Sequence, residues 1–139
     1  MTFREKVTWI SLCATALVYA AYFAKVMPGL TLGHSGHFVG LLIAAIVALA
    51  ILQIIPIVIV AALAPQDASA PKDERETLIE LKGSRSGYIV LTLGALFCCV
   101  AAIFFGTGPA LLANGILLAV VLAELAKLFT QIVFYRRQS

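Results

Sequence analysis

The sequence predicts an all-α integral membrane bundle of four transmembrane helices, because its composition is too apolar for a soluble domain of this size. Of the 139 residues, 62% are hydrophobic and 12% are charged, and the mean hydropathy is +1.03. A soluble domain carries roughly 25% charged and 45–50% apolar residues. A chain this short could not enclose so much apolar surface in one core. Hydrocarbon is therefore expected to surround most of it.

Four apolar runs are long enough to be transmembrane helices, since crossing a bilayer takes about 20 apolar residues. They occupy residues 7–27, 38–63, 88–106 and 109–135. Together they are expected to form a single transmembrane domain over residues 1–139. Pro28 and Gly29 are expected to close the first run, and the stretch Gly106-Thr107-Gly108-Pro109 predicts a very tight turn between the last two. Proline suits the first position of a helix, so the fourth span is expected to begin there.

The placement of lysine and arginine predicts which side of the membrane each part of the chain occupies. Lys25 lies on one side of the four spans and Lys127 lies within the last of them. The other eight basic residues fall on the opposite side: Arg4, Lys6, Lys72, Arg75, Lys82, Arg85, Arg136 and Arg137. Cytoplasmic segments carry the excess of basic residues. Both termini are therefore predicted to be cytoplasmic, in the inner membrane of a prokaryote. Because these residues flank apolar runs, membrane lipids are the expected partner and nucleic acid is not.

Residues 65–87 form the one strongly polar stretch and are predicted to be a cytoplasmic connector. The first part is rich in Ala, Pro, Ser and Asp, which is typical of a flexible linker. The second part starts a helix, since Asp73 is a candidate N-cap and Glu76 follows three residues later. Negative charge at this end also suits the helix dipole. A helix is therefore expected to run from about Glu74 straight into the third span, although Gly83 and Gly87 are expected to weaken it.

The run Asp73-Glu74-Arg75, followed by Ile79 and Lys82 before an apolar span, resembles a motif of small uncharacterised prokaryotic membrane proteins. Those families of unknown function carry a D-E-R-x-x-x-I-x-x-K run before a transmembrane helix. The likeness covers residues 73–88 and the start of the span that follows. It implies a four-span membrane protein that is sometimes associated with helix-turn-helix regulators, with no established chemistry.

The charged segment has two interpretations. In the first, it is a solvated helix start whose basic side chains anchor at lipid headgroups. In the second, it is a docking site for a soluble protein partner, formed by Asp73, Glu74, Arg75, Glu76, Lys82 and Arg85.

Glu124 and Lys127 are the least expected residues of the fourth span, because charged side chains are costly in hydrocarbon. They lie three residues apart, so their side chains can meet on one face of a helix. At a rise of about 1.5 Å per residue, polar residues of the other spans lie at a depth similar to that of Glu124. The sequence therefore predicts an intramembrane polar layer in the cytoplasmic half of the bundle, formed by Glu124, Lys127, Gln131, Gln53, Thr92, Ser11 and Thr15.

Three roles are open for this layer. The Glu124–Lys127 pair could be a neutralising contact that holds helices together. Glu124 could instead be a proton or cation site of a small coupled transporter. In the third interpretation, the pair defines a homodimer interface.

The outer loop PGLTLGHSGH offers His34 and His37 as candidate metal ligands at the start of the second span. Two imidazoles alone do not make a metal site, and the outer loops contain no Asp or Glu to complete one. Histidines that cap a helix start are one interpretation. A pH sensor, or a metal site shared across a dimer, is the other.

The sequence contains no enzyme signature such as H-E-x-x-H, a nucleophile elbow or a glycine-rich phosphate loop. We therefore expect a non-enzymatic, cofactor-free membrane protein, assembled as a homo-oligomer and in the first instance a dimer. Its polar layer around Glu124 is expected to bind a small cation or proton, or to support assembly. The alternative is a membrane-anchored regulatory or interaction protein that acts through residues 73–88.

Overall fold

The described part of the chain is helical throughout, apart from Asp73 and residues 106–108, which confirms the all-α class for that part. The computed structural model describes residues 3–31, 38–63 and 73–138, and no strand occurs within these ranges. The four helices are α1 (Phe3–Thr31), α2 (Phe38–Leu63), α3 (Glu74–Phe105) and α4 (Pro109–Gln138).

Three of these helices are long and apolar enough to cross a membrane. The segments are Glu5–Pro28 in α1, Glu74–Phe105 in α3 and Pro109–Arg137 in α4, and α2 contains the shorter apolar stretch Val39–Leu52. Large apolar side chains also cover the outer surface of the molecule. On α3, those exposed by 74–80% are Phe97, Ile103, Phe104 and Phe105. Apolar surface of this extent indicates a membrane protein.

α3 and α4 form a helical hairpin that is closed by the turn predicted between them. Gly106 follows the last residue of α3 in the left-handed conformation, with φ 58° and ψ 41°, which costs glycine little. α4 starts at Pro109, and the Leu112 amide donates to the Gly108 carbonyl over 3.1 Å. The predictions of a tight turn and of proline at the first helical position are confirmed.

Small residues let α3 and α4 approach closely. A methyl group on Gly94 would lie 2.6 Å from the Cβ of Ala119, and one on Gly87 would lie 3.0 Å from the Ala123 carbonyl oxygen. A methyl group on Gly83 would meet α4 at 2.7 Å. We call the contact of these three glycines with α4 the glycine seam. Gly83 and Gly87 are four residues apart, which is the small-xxx-small spacing of membrane helix contacts. The low helix propensity of glycine predicts a weakened helix at Gly83 and Gly87, yet α3 is continuous through both residues. Their close packing against α4 offsets that low propensity.

α4 is the central helix of the described fold. It packs against α3 on one side and α1 on another, whereas α2 packs against α1. The buried side chains of Tyr22, Val26 and Ala45 form the core of the α1–α2 contact, and Phe23 and Leu117 pack against them. The hairpin and α1 are thus held together through α4.

α1 extends beyond the point at which the first apolar run was expected to close. Pro28 lies inside the helix, which ends at Thr31. Proline lacks an amide hydrogen and therefore removes one main-chain hydrogen bond. Because Pro28 lies in the last turn, that loss does not interrupt the helix upstream. The expectation that Pro28 and Gly29 end the helix is wrong by about one turn.

The start of α3 follows the prediction in position but not in its side-chain capping. α3 is one continuous helix from Glu74 to Phe105, so the expected run into the third span is confirmed. Asp73 occupies the N-cap position with extended backbone angles, yet its side chain makes no capping hydrogen bond. Its carbonyl oxygen instead accepts from the amide and the hydroxyl of Thr77, at 3.1 and 3.3 Å. The exposed helix start leaves water to satisfy the remaining amide groups.

The starts of α1 and α3 and the end of α4 lie at the same end of the molecule. The Arg136 guanidinium lies 5.4 Å from the centre of the Trp9 ring, and the Lys82 ammonium lies 4.4 Å from the centre of the Phe134 ring. Both distances are typical of cation–π contacts. Among the described residues, the exposed basic side chains of this end, which we call the basic end, are Lys6, Arg75, Lys82, Arg85, Arg136 and Arg137. Because α1 and α3 both begin here, α2 has to carry the chain back from the opposite end.

Candidate functional site

The ion pair predicted in the last apolar run is present on α4. Lys127 Nζ donates to Glu124 Oε2 over 3.4 Å, between residues three apart on the helix. Glu124 lies fifteen residues after Pro109, which is about 22 Å along the helix axis. The two side chains are partly open: Lys127 is 36% exposed and Glu124 is 29% exposed. Two opposite charges therefore lie within an apolar segment and neutralise each other on one helix.

Packing against α3 limits the positions that Lys127 can adopt. Its Cβ would lie 3.2 Å from a methyl group placed on Gly87, and its carbonyl oxygen would lie 3.1 Å from one placed on Gly83. The base of the lysine is therefore fixed in the glycine seam, and only the outer part of the side chain is free to reach Glu124. One turn further, Gln131 is 8% exposed and covers Gly83. Of the predicted layer, the structure brings together Glu124, Lys127 and Gln131 along α4.

A second polar contact, between hydroxyl groups, joins α3 and α4 close to this pair. Ser86 Oγ lies 2.9 Å from Thr130 Oγ1. Each hydroxyl also has a main-chain acceptor on its own helix, the Ala126 carbonyl for Thr130 at 2.7 Å and the Gly83 carbonyl for Ser86 at 2.8 Å, so either hydroxyl can be the donor between them. Hydroxyl contacts of this kind hold membrane helices together. Ser86 and Thr130 are not among the predicted site residues, because a pairing across 44 positions leaves no signal in local spacing.

Five polar side chains of α1, at positions 8, 11, 15, 19 and 22, follow helical spacing along one face, which we call the polar stripe, and this face is turned towards the interior of the bundle. Thr8, Thr15, Tyr19 and Tyr22 are buried and Ser11 is half-buried. The stripe includes the two α1 residues of the predicted polar layer, Ser11 and Thr15. Within the described residues, no hydrogen bond joins Ser11 or Thr15 to Glu124, so these two residues line the same bundle without joining the ion pair.

One member of the stripe bonds across to α4. The Tyr22 hydroxyl donates to Asn114 Oδ1 over 3.1 Å, and the Asn114 amide donates to the Ala110 carbonyl over 2.9 Å. This contact lies towards the end of the molecule opposite the basic end, away from Glu124. It anchors α1 to α4.

Of the two further residues of the predicted layer, Thr92 lies apart from the ion pair. Thr92 is exposed on α3, and its hydroxyl donates to the carbonyl of Tyr88 over 2.8 Å. Threonine in a helix satisfies its hydroxyl in this way, so Thr92 needs no partner on α4. Gln53 lies in α2, but its side chain is outside the part of the chain that the structure describes.

The charged start of α3 packs against α4 along one face and is exposed on its other faces. We call residues 74–88 the arm. Among the predicted partner-binding residues, Glu76 is half-buried, and those that are exposed are Asp73, Glu74, Arg75, Lys82 and Arg85. Ile79 is buried on the side of the glycine seam. Leu78, Leu81 and Tyr88 lie on another face and are 54%, 66% and 70% exposed.

The candidate metal ligands His34 and His37 lie outside the described residues. Within the described ranges, no group of three His, Cys, Asp or Glu residues could hold a metal ion. Cys13, Cys98 and Cys99 are free thiols, and Cys98 is buried. The sulfur of Cys98 would lie 3.1 Å from a methyl group on Gly115, so this thiol packs between α3 and α4.

Comparison of the chain with protein-family models, with curated proteins and with solved structures finds no match. The resemblance to small prokaryotic membrane proteins therefore stays a prediction from residues 73–88.

Proposed function

We propose that this chain is a non-enzymatic four-span protein of a prokaryotic inner membrane, and that it functions as a homo-oligomer assembled through Glu124 and Lys127. The observation that carries this proposal is the ion pair on α4, whose members are 3.4 Å apart and about one-third exposed within an apolar segment.

The positions of the helix ends support four crossings with the basic end in the cytoplasm. α1 and α3 begin at the same end of the molecule, which requires α2 to return the chain across the full thickness of the bundle. Its 26 residues span about 39 Å, enough for a bilayer with a hydrocarbon core of about 30 Å. Phe38–Leu63 also contains no Asp, Glu, Lys or Arg. The six exposed basic side chains of the basic end fit the charge bias of cytoplasmic surfaces.

The exposure of the ion pair supports assembly. A charged residue near the middle of a transmembrane helix costs about 2.5–3.5 kcal/mol to insert, so such residues face protein or water instead of lipid. Pairing within α4 neutralises the net charge but leaves part of both groups uncovered. A second subunit that presents the same face can cover both, because Glu124 of one copy can meet Lys127 of the other. The ammonium already beside Glu124 favours this role over binding of a cation.

The test is the association of three variants in lipid bilayers, measured by single-molecule photobleaching or by energy transfer between labelled subunits. Removing both polar groups with Glu124→Leu plus Lys127→Leu is expected to weaken association by about 5- to 30-fold, as expected when 1–2 kcal/mol of interhelical polar contact is lost. The charge swap Glu124→Lys plus Lys127→Glu is expected to associate normally, because the swapped copies remain complementary to each other. Thr92→Val is the control, since Thr92 is polar and exposed but bonds to its own helix.

Wild-type association by the doubly neutral variant would contradict assembly through the pair. The second candidate function, an interaction protein that acts through the arm, is then favoured. One observation supports it: Leu78, Leu81 and Tyr88 expose more than half of their surface on a segment that packs against α4 at Gly83 and Gly87. For this function, Leu81→Ser is expected to abolish the co-purification of a soluble protein with the chain in mild detergent, whereas the doubly neutral variant keeps that co-purification.

A further inference from the structure

One exposed face of α3 carries two basic side chains next to a row of apolar ones. Lys82 and Arg85 are exposed and three residues apart, so their side chains are neighbours on the helix. At further spacings of three and four residues, the same face continues with apolar side chains that are 50–62% exposed: Ile89, Leu93, Leu96 and Val100. We call these six residues the lipid face. Its apolar members lie on the side of α3 away from the glycine seam, through which α3 contacts α4.

The two basic residues lie at the depth of lipid headgroups. Phe105 is the last residue of α3, at the other end of its apolar run. Arg85 precedes it by twenty residues and Lys82 by twenty-three, which correspond to about 30 and 35 Å along the helix axis. A bilayer has a hydrocarbon core of about 30 Å and a total thickness of about 40–45 Å with its headgroups. A core that begins at Phe105 therefore ends at Arg85, and Lys82 lies in the headgroup layer.

Neither basic group has an acidic neighbour on this face. The residues three and four positions from Lys82 and Arg85 are Leu, Ile, Ser and Tyr, apart from the two basic residues themselves. Within the part of the chain that the structure describes, neither residue forms an ion pair. Like charges at such close positions on a helix repel each other. An anion between the two side chains would therefore stabilise both.

Phe134 of α4 fixes the position of the Lys82 side chain. The ammonium lies 4.4 Å from the centre of the Phe134 ring, so the ring covers one side of it. An ammonium has three N–H donors, and those on its uncovered side can donate to a phosphate oxygen. The Arg85 guanidinium can donate two parallel hydrogen bonds to the same kind of group. The two side chains together fit one phosphate.

We propose that the lipid face binds an anionic phospholipid, with Lys82 and Arg85 donating to the headgroup phosphate and an acyl chain lying along the apolar row. From Ile89 to Val100 this row is about 16 Å long, which matches the half-thickness of about 15 Å of the hydrocarbon core. An anionic headgroup is favoured over a zwitterionic one, because the zwitterionic headgroup carries its own cation and the lipid face has no carboxylate to receive it. This site does not depend on assembly through Glu124 and Lys127.

The experiment is a lipid titration of the full chain in mild detergent, followed by native mass spectrometry. It compares dioleoyl phosphatidylglycerol, which is anionic, with dioleoyl phosphatidylcholine, which is zwitterionic and has the same acyl chains. The wild-type chain is expected to bind the anionic lipid about 5- to 30-fold more tightly, the range that one to two basic contacts with an anionic lipid produce. Lys82→Gln plus Arg85→Gln is expected to remove this preference and to keep the weaker binding of both lipids.

Two double variants are the matched controls. Arg75→Gln plus Arg137→Gln removes the same amount of charge from exposed positions of the basic end and is expected to keep most of the preference, because Arg75 lies about 15 Å beyond Arg85 along the helix. Lys82→Arg plus Arg85→Lys keeps both charges and is expected to bind like the wild type.

Glycerol phosphate, the anionic headgroup without acyl chains, separates a lipid site from a site for a soluble anion. At the concentration of the lipid it is expected not to displace phosphatidylglycerol, because it makes no contact with the apolar row. Displacement would overturn the proposal in favour of a soluble anion.

Three other results would also overturn the proposal. Equal binding of both lipids by the wild type would leave the two basic residues to a soluble acidic partner. A preference that survives Lys82→Gln plus Arg85→Gln would place the lipid elsewhere. An equal loss in Arg75→Gln plus Arg137→Gln would reduce the effect to general charge attraction. None of these results affects the association assay for Glu124 and Lys127.

Discussion

Replacing Gly94 by alanine is expected to lower the free energy of unfolding by about 1–3 kcal/mol, the usual cost of overpacking a close contact. The added methyl group would lie 2.6 Å from the Cβ of Ala119. Neither atom can rotate away, because a Cβ moves only with its own backbone. α3 and α4 would have to separate along the glycine seam. The measurement is reversible unfolding in mixed micelles of a mild detergent and dodecyl sulfate, in dilute samples in which the chain is monomeric.

The matched control for this prediction is Gly40→Ala, since a methyl group on Gly40 would meet no atom within 4 Å. Alanine favours a helix over glycine by roughly 0.5–1 kcal/mol, so the control is expected to be neutral or slightly stabilising. The reciprocal pair Gly94→Ala with Ala119→Gly restores the total volume at the contact and is expected to recover most of the loss. Equal stability of Gly94→Ala and Gly40→Ala would contradict the close contact.

Removing only Lys127 is expected to cost more stability than removing both members of the ion pair. In Lys127→Met, the Glu124 carboxylate loses the ammonium at 3.4 Å and remains in an apolar segment. The expected loss is about 1–3 kcal/mol, the usual cost of leaving one partner of a polar contact unsatisfied away from water. Adding Glu124→Gln removes the unpaired charge, so the double variant is expected to return to within about 1 kcal/mol of the wild type.

The same unfolding assay in dilute micelles measures this difference without a contribution from association. Lys25→Met, which removes an exposed lysine near the end of α1, is the control and is expected to have little effect. If the single and double variants lose the same free energy, Glu124 has another partner and the pairing with Lys127 is not what neutralises it.

The sequence predicts the features of this fold that depend on local chemistry. The length of the apolar runs predicts the helices, Gly106 and Pro109 predict the turn between α3 and α4, and the acidic residues that follow Asp73 predict the start of α3. The spacing of three residues between Glu124 and Lys127 predicts their contact, because a helix fixes the distance between such positions.

Contacts between helices are not predicted in the same way, because they depend on which faces meet. Tyr22 and Asn114 are 92 positions apart in the sequence. The depth of a residue in the bilayer does not determine which neighbouring helix its side chain faces. Thr92 illustrates the difference, since its depth predicts a place in the polar layer but its side chain is exposed on α3. Gly83 and Gly87 are spaced four residues apart, which is typical of a close contact between membrane helices, whereas helix propensity alone predicts only a weakened helix at these positions.

The central claim, that the chain crosses the membrane four times with the basic end inside, is tested by the sidedness of single cysteines. In a variant that lacks Cys13, Cys98 and Cys99, cysteines replace Lys6, Arg75, Arg137 and Gly108 one at a time. A membrane-impermeant thiol reagent is added to intact cells and to permeabilised cells. We predict that the cysteine at position 108 reacts in intact cells, whereas those at positions 6, 75 and 137 react only after permeabilisation. Reaction at position 6 or 75 from outside, or protection at position 108, would contradict the four-span arrangement.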